Sequence, residues 1–150
     1  MAHFEHDLYG EDLPSSEWQK RWWQYVATYQ GVAPPESRSD DGCDACSKTH
    51  INDLPAQYYN YALSTVIKYQ LHDHICKKIL KQDPHSCSYY GHKEVGDFLK
   101  KILSQGATRP WKDILKEATG EPLSTRALLD YFKPLDGWLD EQLQGKQIGW

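Results

Sequence analysis

The stretch from Lys48 to Cys76 carries the longest helical pattern in the sequence. After a turn that ends at Pro55, apolar side chains recur at helical spacing and predict one helix from about residue 56 to residue 82. Its main stripe consists of Tyr58, Tyr61, Ala62, Thr65, Tyr69, His72, Cys76, Ile79 and Leu80, and Leu63, Val66, Ile67, Leu71 and Ile75 add apolar positions on neighbouring faces. Because a helix that is apolar on several sides is covered on several sides, we expect it to be buried.

Two tyrosines at the start of this predicted helix form a candidate site with the turn before it. Tyr58 and Tyr61 share a helix face, near the turn that carries Lys48 and His50. Two phenols, an ammonium and an imidazole at one helix start could hold a carboxylate or a polarised carbonyl. The alternative is that the tyrosines are core residues whose hydroxyl groups reach water, as is common for aromatic side chains. Spacing alone leaves both interpretations open.

Helical segments also dominate the rest of the chain, and strand-like alternation is nearly absent. The predicted fold class is therefore all-α, and 150 residues suffice for one domain with its own core. Further helices are predicted at about 16–30, 92–104, 110–119 and 124–144, with a long loop at 31–48. Their expected inward faces are Trp18, Trp22, Tyr25 and Tyr29; then Val95, Phe98, Leu99, Ile102 and Leu103; and, in the last helix, Leu128, Leu129, Phe132, Leu135, Trp138, Leu139 and Leu143.

Individual residues predict where these segments begin, bend and end. Residues 1–14 are expected either to be poorly structured or to be the tail of something longer. Gly31 and Gly120 should end the helices that precede them, and Ser124 should cap the last helix. Pro134 lies inside that helix and predicts a kink.

The charge pattern argues against nucleic acid as a partner. The formal net charge is −4 with no basic stripe, whereas phosphate binding needs clustered lysines and arginines. No apolar run approaches the ~20 residues of a transmembrane helix. The N-terminal residues lack the positive and apolar regions of a signal peptide.

The four cysteines fall into two pairs with different spacing. Cys43 and Cys46 form a C-x-x-C within the predicted loop, and their role stays unassigned. Cys76 and Cys87 do not supply the second ligand pair that a zinc site would need. We predict instead a Cys76–Cys87 disulfide that ties a helix end to the following loop. Such a bridge implies an oxidising compartment, extracellular or periplasmic.

The histidines do not form a predicted metal site. His3 and His6 have the spacing of a ligand pair, but they lie near the terminus, where exposed histidines usually bind nothing. His72 and His74 are two residues apart, so they point in different directions on a helix and are expected to make ordinary polar contacts.

Short motifs run through nearly the whole chain in a fixed order. They are Trp22-Trp23, Tyr29-Gln30-Gly31 with Pro34-Pro35, Lys48-Thr49-His50, Tyr58 and Tyr61, Gln70-Leu71-His72-Asp73 leading to Cys76, Cys87, Arg109-Pro110-Trp111, Tyr131-Phe132-Lys133-Pro134-Leu135 with Trp138-Leu139, and Gly149-Trp150. In this order and spacing the chain resembles the angiotensin-converting-enzyme family, the peptidyl-dipeptidase A zinc peptidases, and its bacterial members in particular.

This resemblance implies a mostly helical, two-lobed shell around a deep channel, of which residues 1–150 would be the C-terminal quarter of the catalytic domain. The family holds its zinc with an H-E-x-x-H helix and a further glutamate, and the present sequence contains no H-E-x-x-H. The resemblance therefore implies that the metal ligands would lie N-terminal to Met1. The chain would hold no cofactor of its own, the zinc would belong to the parent enzyme, and the chain alone would be inactive.

The resemblance also implies roles for four residues. Lys48 and Tyr58 match the groups that hold the substrate's C-terminal carboxylate, and His50 matches a histidine that bonds the peptide backbone near the scissile bond. Tyr61 matches the tyrosine that stabilises the tetrahedral oxyanion. Compared with the animal enzymes, this chain has one extra residue between His50 and Tyr58.

Two further departures from the animal enzymes concern chloride and the C-x-x-C. Val26 and Asn60 stand where the animal enzymes carry chloride-binding arginines, so a chloride-insensitive parent is expected. Cys43 and Cys46 have no counterpart in the animal pattern.

Three hypotheses follow for the function. The first is the substrate-binding part of a zinc-dependent peptidyl dipeptidase, with a peptide that has a free C-terminal carboxylate as its ligand. The missing N-terminal catalytic part, or another chain, would then cover an open aromatic face. The second is a stand-alone, non-catalytic peptide-binding module derived from that family. The third is a structural or interaction protein that kept only the helices.

Overall fold

A computed structural model describes residues 1–147, so the Gly149-Trp150 match lies outside the described residues. Seven α-helices follow one another along this part of the chain: α1 (Ala2–Gly10), α2 (Trp18–Gln30), α3 (Thr49–Asn52), α4 (Asn60–His74), α5 (Lys93–Leu103), α6 (Trp111–Thr119) and α7 (Arg126–Leu143). Two 3₁₀ turns, Ser15–Glu17 and Asp44–Ser47, and a π-helical segment, Ile75–Leu80, complete the regular structure. Residues 1–147 contain no strand, which confirms the all-α prediction.

The chain divides into two compact units, one built on residues 1–62 and the other on residues 63–146. The boundary falls within the first turn of α4. Within residues 1–147, no helix has both the length and the apolar character needed to cross a bilayer.

The first unit is built around a small core to which α1 contributes. Phe4 is only 1% exposed and meets Trp22 edge to face, with ring centroids 5.5 Å apart. The expectation that residues 1–14 are poorly structured is therefore wrong for α1. The helix carries little apolar periodicity of its own, and its place depends on Phe4 and on two buried carboxylates, Glu5 and Asp7, that bond to other segments.

Helix α2 turns most of the predicted face inward, because Trp22 is buried and Trp18 and Tyr25 pack against the core, and the prediction is wrong only for Tyr29. Its buried residues are Gln19, Trp22 and Val26, whereas Tyr29 is exposed at the surface. Gln19 is buried because its amide donates to the Asp44 carboxylate at 2.9 Å and its carbonyl accepts from the Asp44 N–H at 2.8 Å. The helix ends as predicted at Gly31, which adopts the left-handed conformation, with φ +62°.

Helix α4 is shorter and less buried than the sequence indicates. It begins at Asn60 rather than near residue 56, because Ala56 has a positive φ of 57° and breaks the helical path. After His74 the helix continues as the π-helical segment. This helical run ends at Lys81, whose backbone, like that of Ala56, has a positive φ. Only Gln70 is buried in α4, so the predicted burial on several sides is wrong for this part of the predicted helix, whereas Ile75 and Cys76 farther along it are buried. No segment among the described residues fully covers its other apolar positions.

The second unit packs around the end of this helical run. Ile75 and Cys76 are buried together with Val95 of α5 and with Ile114 and Leu115 of α6. On α5, Val95 is the buried member of the predicted apolar face, whereas Leu103 at the end of the helix is exposed.

The end of the helical run is also held by covalent and polar contacts. Cys76 and Cys87 form the predicted disulfide, with Cα atoms 5.9 Å apart. His72 bonds to the Tyr89 hydroxyl and to the Pro84 carbonyl, and His74 stacks on Phe98, so both histidines make ordinary contacts as expected.

Helix α7 is anchored at its start and open along its apolar side. Its N-cap is Thr125 rather than the predicted Ser124, although the Ser124 hydroxyl accepts from the Arg126 N–H at 3.1 Å. Ala127 is its buried residue, while much of the predicted inward face is exposed: Leu129, Phe132, Leu135, Trp138 and Leu139. The prediction that this face packs inward is wrong for these residues, which stay exposed even though Phe132 meets the Tyr69 ring, with centroids 5.3 Å apart.

Candidate functional site

The segment that carries Lys48 and His50 is fixed by buried neighbours on each side. The Asp44–Ser47 turn buries Ala45, and α3 buries Ile51. Lys48 links the two with an extended backbone, and its carbonyl accepts from the Ile51 N–H at 2.9 Å. The chain therefore presents Lys48 and His50 between two anchored positions.

His50, Tyr58 and Tyr61 form a tight aromatic cluster in the first unit. Their ring centroids are 5.2 Å apart for His50–Tyr58, 5.6 Å for His50–Tyr61 and 5.0 Å for Tyr58–Tyr61. His50 Nε2 and the Tyr61 hydroxyl share a hydrogen bond of 3.0 Å. Tyr61 is nevertheless 58% exposed, so the cluster is a surface feature and the core-residue alternative fails for this tyrosine.

The two tyrosines lie side by side for a reason that helix spacing alone does not give. Tyr58 precedes α4 and belongs to a turn in which its carbonyl accepts from the Tyr61 N–H at 3.1 Å. This turn, rather than a regular helix, brings the two phenols together. The Ala56 N–H donates to the Glu5 carboxylate at 2.8 Å, and this bond fixes the approach to the turn.

Lys48 and Tyr58 border the same cavity, of about 430 Å³. Its apolar wall includes Trp22, Val26 and Val32. Within the described chain, the Lys48 ammonium makes no ion pair with a carboxylate, so its charge is available to a ligand. A cavity with one cationic, phenolic side and one apolar side suits the end of a peptide: a carboxylate and an apolar side chain.

The turn beneath this cavity depends on Asp44, which the sequence did not single out. Its carboxylate accepts from Trp23 Nε1 at 2.8 Å and from Gln19 Nε2 at 2.9 Å, and Arg38 lies 3.4 Å away. The Trp23 bond is the main cause that holds the pKa of Asp44 below its usual value, with help from Gln19 and the charge of Arg38. Cys43 and Cys46 form a second, unpredicted disulfide across the same turn, with Cα atoms 5.3 Å apart. The C-x-x-C spacing was its one sequence signal.

The donor set of the cluster does not fit a zinc ion. It offers a single imidazole, already bonded to Tyr61, whereas protein zinc sites use at least three nitrogen, sulfur or carboxylate ligands. Elsewhere in residues 1–147, His6, Asp7 and Glu11 have ligand atoms within 4.8 Å of one another. Asp7 is already engaged there by Arg21 and Tyr25.

The second unit has a cavity of its own, of about 450 Å³, lined mainly by Tyr69, His72, Tyr89, Leu99 and Tyr131. It contains none of the four predicted site residues. It is the more apolar of the two cavities, and the cation that lines it, Lys68, lies over the Tyr69 ring at 4.6 Å from the ring centroid.

Comparison with known proteins places the chain in one family. The family model described as angiotensin-converting enzyme, peptidase M2, matches residues 1–150. The chain is 37% identical to the angiotensin-converting enzyme-like protein Ace3 of Mus musculus, over 98% of the chain and 20% of that protein. It is 37% identical to angiotensin-converting enzyme of Bos taurus over 91% of the chain. It is 33% identical to angiotensin-converting enzyme of Theromyzon tessulatum over 96% of the chain.

The matches cover the chain well but the relatives only in part. The chain spans 11% of the Bos taurus protein and 25% of the Theromyzon tessulatum protein. A family model that matches the chain from end to end, together with these identities, shows that the chain belongs to the angiotensin-converting enzyme family of peptidases.

Proposed function

We propose that this chain is the C-terminal, substrate-binding part of a zinc-dependent peptidyl dipeptidase, which removes dipeptides from the C-termini of peptides. Family membership supports this proposal, as does the small share of each relative that the chain spans. Since the cluster does not fit zinc and the sequence has no H-E-x-x-H, the zinc that activates the scissile carbonyl would be held by other parts of the protein. The chain alone would then be inactive.

The substrate's C-terminal carboxylate would bind between Lys48 and Tyr58. An ammonium and a phenol donor together give charge-assisted hydrogen bonds, which are stronger than neutral ones. Both groups border the cavity of about 430 Å³, whose Trp22, Val26 and Val32 wall would receive the last side chain of the peptide. A peptide whose carboxylate is amidated would lose this contact.

Tyr61 would donate to the oxyanion of the tetrahedral intermediate, and His50 would orient it. With Nε2 protonated, His50 donates to the Tyr61 oxygen, and the phenol hydrogen can then point toward the substrate. Because Nε2 faces Tyr61, Nδ1 is the His50 atom left for the peptide backbone. A donor aimed at a developing charge acts mainly in the transition state.

The observation that carries this proposal is the convergence of the four residues on one side of the first unit. The His50, Tyr58 and Tyr61 rings lie within 5.6 Å of one another, and Tyr58 shares its cavity with Lys48. All four are contributed by residues 1–62.

The experiment compares two substitutions in the parent enzyme. Tyr61→Phe should lower kcat by about a hundredfold with little change in KM, since removing one oxyanion donor typically has an effect of this size. Lys48→Ala should act chiefly on KM, because the carboxylate contact exists in both the ground and transition states.

Matched controls come from the same unit. Tyr59→Phe removes a neighbouring exposed phenol, and Lys20→Ala removes an exposed charge on α2; neither should change kcat or KM. If Tyr61→Phe left kcat unchanged, or if Tyr59→Phe lowered it equally, the assignment of Tyr61 would be wrong.

The chain alone tests the proposed inactivity. After dialysis it should retain no stoichiometric zinc and should not hydrolyse a tripeptide analogue with a free C-terminus.

A stand-alone binding module is the second candidate, favoured by the fact that the four residues lie within one unit. Lys48-dependent peptide binding, from a gene that encodes no H-E-x-x-H upstream of Met1, would support that module and exclude the peptidase.

The proposed location is outside the cytoplasm. Two disulfides support it, because such bridges form and persist in oxidising compartments. The remainder of the enzyme is the proposed partner for the exposed apolar side of α7.

A further inference from the structure

The C-x-x-C bridge beneath the candidate site differs in kind from the other disulfide. Cys43 and Cys46 are separated by three positions, whereas Cys76 and Cys87 are separated by eleven. We propose that the Cys43–Cys46 disulfide is a thiol–disulfide exchange site, reduced by small dithiols or by dithiol proteins. C-x-x-C is the arrangement that reactive dithiols use. The proposal does not depend on peptidase function.

An exchange site must first be reached by the attacking thiolate. Cys46 is exposed and Cys43 is half-buried against the core. Cys76, in contrast, is 0% exposed. Access therefore favours attack at the Sγ atom of Cys46, with Cys43 as the leaving thiolate.

The turn at an exchange site must also keep its conformation when the disulfide is reduced. Here contacts other than the disulfide hold the turn. The Asp44 carboxylate accepts bonds from Gln19 and Trp23, and Ala45 is buried. The Cys46 carbonyl accepts from the Asn52 amide at 2.7 Å. None of these contacts involves a sulfur atom, so the turn should keep its shape when the disulfide is reduced.

The same contacts favour closure of the bridge. The Cys46 N–H donates to the Cys43 carbonyl at 3.0 Å, which keeps the two residues adjacent in the absence of an S–S bond. Two thiols held together in this way have a high effective concentration toward each other, so reoxidation should be intramolecular and fast.

The exchange is balanced in atoms and electrons. A thiolate of the reductant attacks Cys46 Sγ, the Cys43–Cys46 bond breaks, and Cys43 leaves as a thiolate that takes up a proton. The second thiol of the reductant then attacks the reductant's own sulfur in the mixed disulfide and releases Cys46 as a thiol. The reductant is oxidised to its disulfide by two electrons, and the cysteine pair gains those two electrons and two protons.

A redox titration of the full chain tests the proposal. The protein is equilibrated with mixtures of reduced and oxidised dithiothreitol, quenched with an alkylating agent and analysed by peptide mass spectrometry. Cys43–Cys46 should be half-reduced at a ratio of reduced to oxidised reagent about fivefold lower than Cys76–Cys87, since a shorter loop constrains the unfolded chain less. The helical circular dichroism should be unchanged at that point. Reduction of both bridges at the same ratio, or loss of helix with the first, would overturn the proposal.

Two single variants, in which the disulfide cannot form, test which of the two sulfur atoms is the more accessible to attack. In Cys43→Ser the remaining Cys46 thiol should react with an aromatic disulfide probe about tenfold faster than the Cys43 thiol does in Cys46→Ser. Circular dichroism of both variants verifies that they are folded. Equal rates in two folded variants, or the reverse order, would contradict the assignment of Cys46 as the attacked sulfur.

Discussion

Helices α1 and α7 are held in their units by different kinds of contact. α1 inserts Phe4 into the core of the first unit and buries the Glu5 and Asp7 side chains beside it. α7 buries Ala127 but leaves Leu129 64% and Trp138 55% exposed. A short helix of nine residues is thus more completely integrated than one of eighteen.

Helix α7 buries little of its apolar side, and polar contacts anchor the start of the helix. The Gln70 side chain accepts from the Ser124 N–H at 3.2 Å and donates to the Pro122 carbonyl at 2.9 Å. The Arg126 guanidinium pairs with Asp73 at 3.0 Å and with Glu121 at 2.8 Å. The difference teaches that burial depends on what each unit supplies as a partner, and that α7 presents a surface its own unit does not cover.

The largest expected effect is at Phe4. Phe4→Ala should lower the free energy of unfolding by about 3–5 kcal/mol, because it removes a fully buried ring and leaves a cavity. Urea denaturation followed by circular dichroism measures this loss. Phe132→Ala makes the same change on the open side of α7 and should cost less than about 1.5 kcal/mol. Equal costs at the two positions would remove the distinction between the helices.

Gln70 should give the next largest effect. Gln70→Leu keeps the volume but deprives the Pro122 carbonyl and the Ser124 N–H of their partners, which should cost about 2–3 kcal/mol of unfolding free energy. Gln142→Leu, at an exposed position on α7, is the matched control and should be nearly neutral. If Gln70→Leu were equally neutral, polar anchoring of α7 would not be its main support.

A pH effect should follow from Asp7 in α1. The Tyr25 hydroxyl and then the Arg21 guanidinium donate to its carboxylate, and these bonds hold the pKa of Asp7 below its ordinary value of 3.8. Because the folded pKa is depressed, this contribution to stability is full above the unfolded pKa and is lost as the pH falls through the folded pKa.

The measurement is the free energy of unfolding against pH. Asp7→Asn should lower it by about 1.5–2 kcal/mol at neutral pH, as for other hydrogen bonds to charged groups. It should also flatten the decline of wild-type stability below about pH 4. Asp53→Asn, at an exposed position in the same unit, should leave the profile unchanged. A variant with the wild-type slope would show that Asp7 is not the group responsible.

Local chemistry allowed parts of the fold to be predicted from the sequence. Gly31 and Gly120 end α2 and α6 in left-handed conformations, because glycine adopts a positive φ without strain. The Cys76–Cys87 bridge also followed from local spacing, since it joins a helix end to the next loop. In each case the cause lies nearby in the sequence.

Features that depend on distant residues were missed. α1 is defined by the contact of Phe4 with Trp22, and the turn beneath the site by the bonds of Asp44 to Gln19 and Trp23. No periodicity within α1 or within the loop signals either contact. The inward side of α7 was misjudged for a related reason, because a hydrophobic pattern shows that a side is apolar but not which segment covers it.

The proximity of Tyr58 and Tyr61 was predictable, although its cause was not. Spacing by three residues brings side chains together both on a helix and in the turn that the chain adopts here. Because Ala56 has a positive φ, α4 begins only at Asn60. The sequence does not indicate this, because alanine is ordinarily a strong helix former. The roles of the four residues stay predictions, and the kinetic comparison of Tyr61→Phe with Lys48→Ala tests them.

The smallest effect in the isolated chain should come from the open side of α7. Trp138→Gln should change its free energy of unfolding by no more than about 0.5 kcal/mol, since an exposed side chain makes few contacts to lose. Ile114→Gln, which places an amide in the core of the same unit, is the contrasting control and should be strongly destabilising. In a full-length parent enzyme, where we propose that the remainder of the protein covers this surface, Trp138→Gln should cost about 3–5 kcal/mol, as for a buried tryptophan. Thermal denaturation of both forms measures the difference. If the cost were equally small in the full-length protein, α7 would be an open surface there as well, and the proposed partner for it would be wrong.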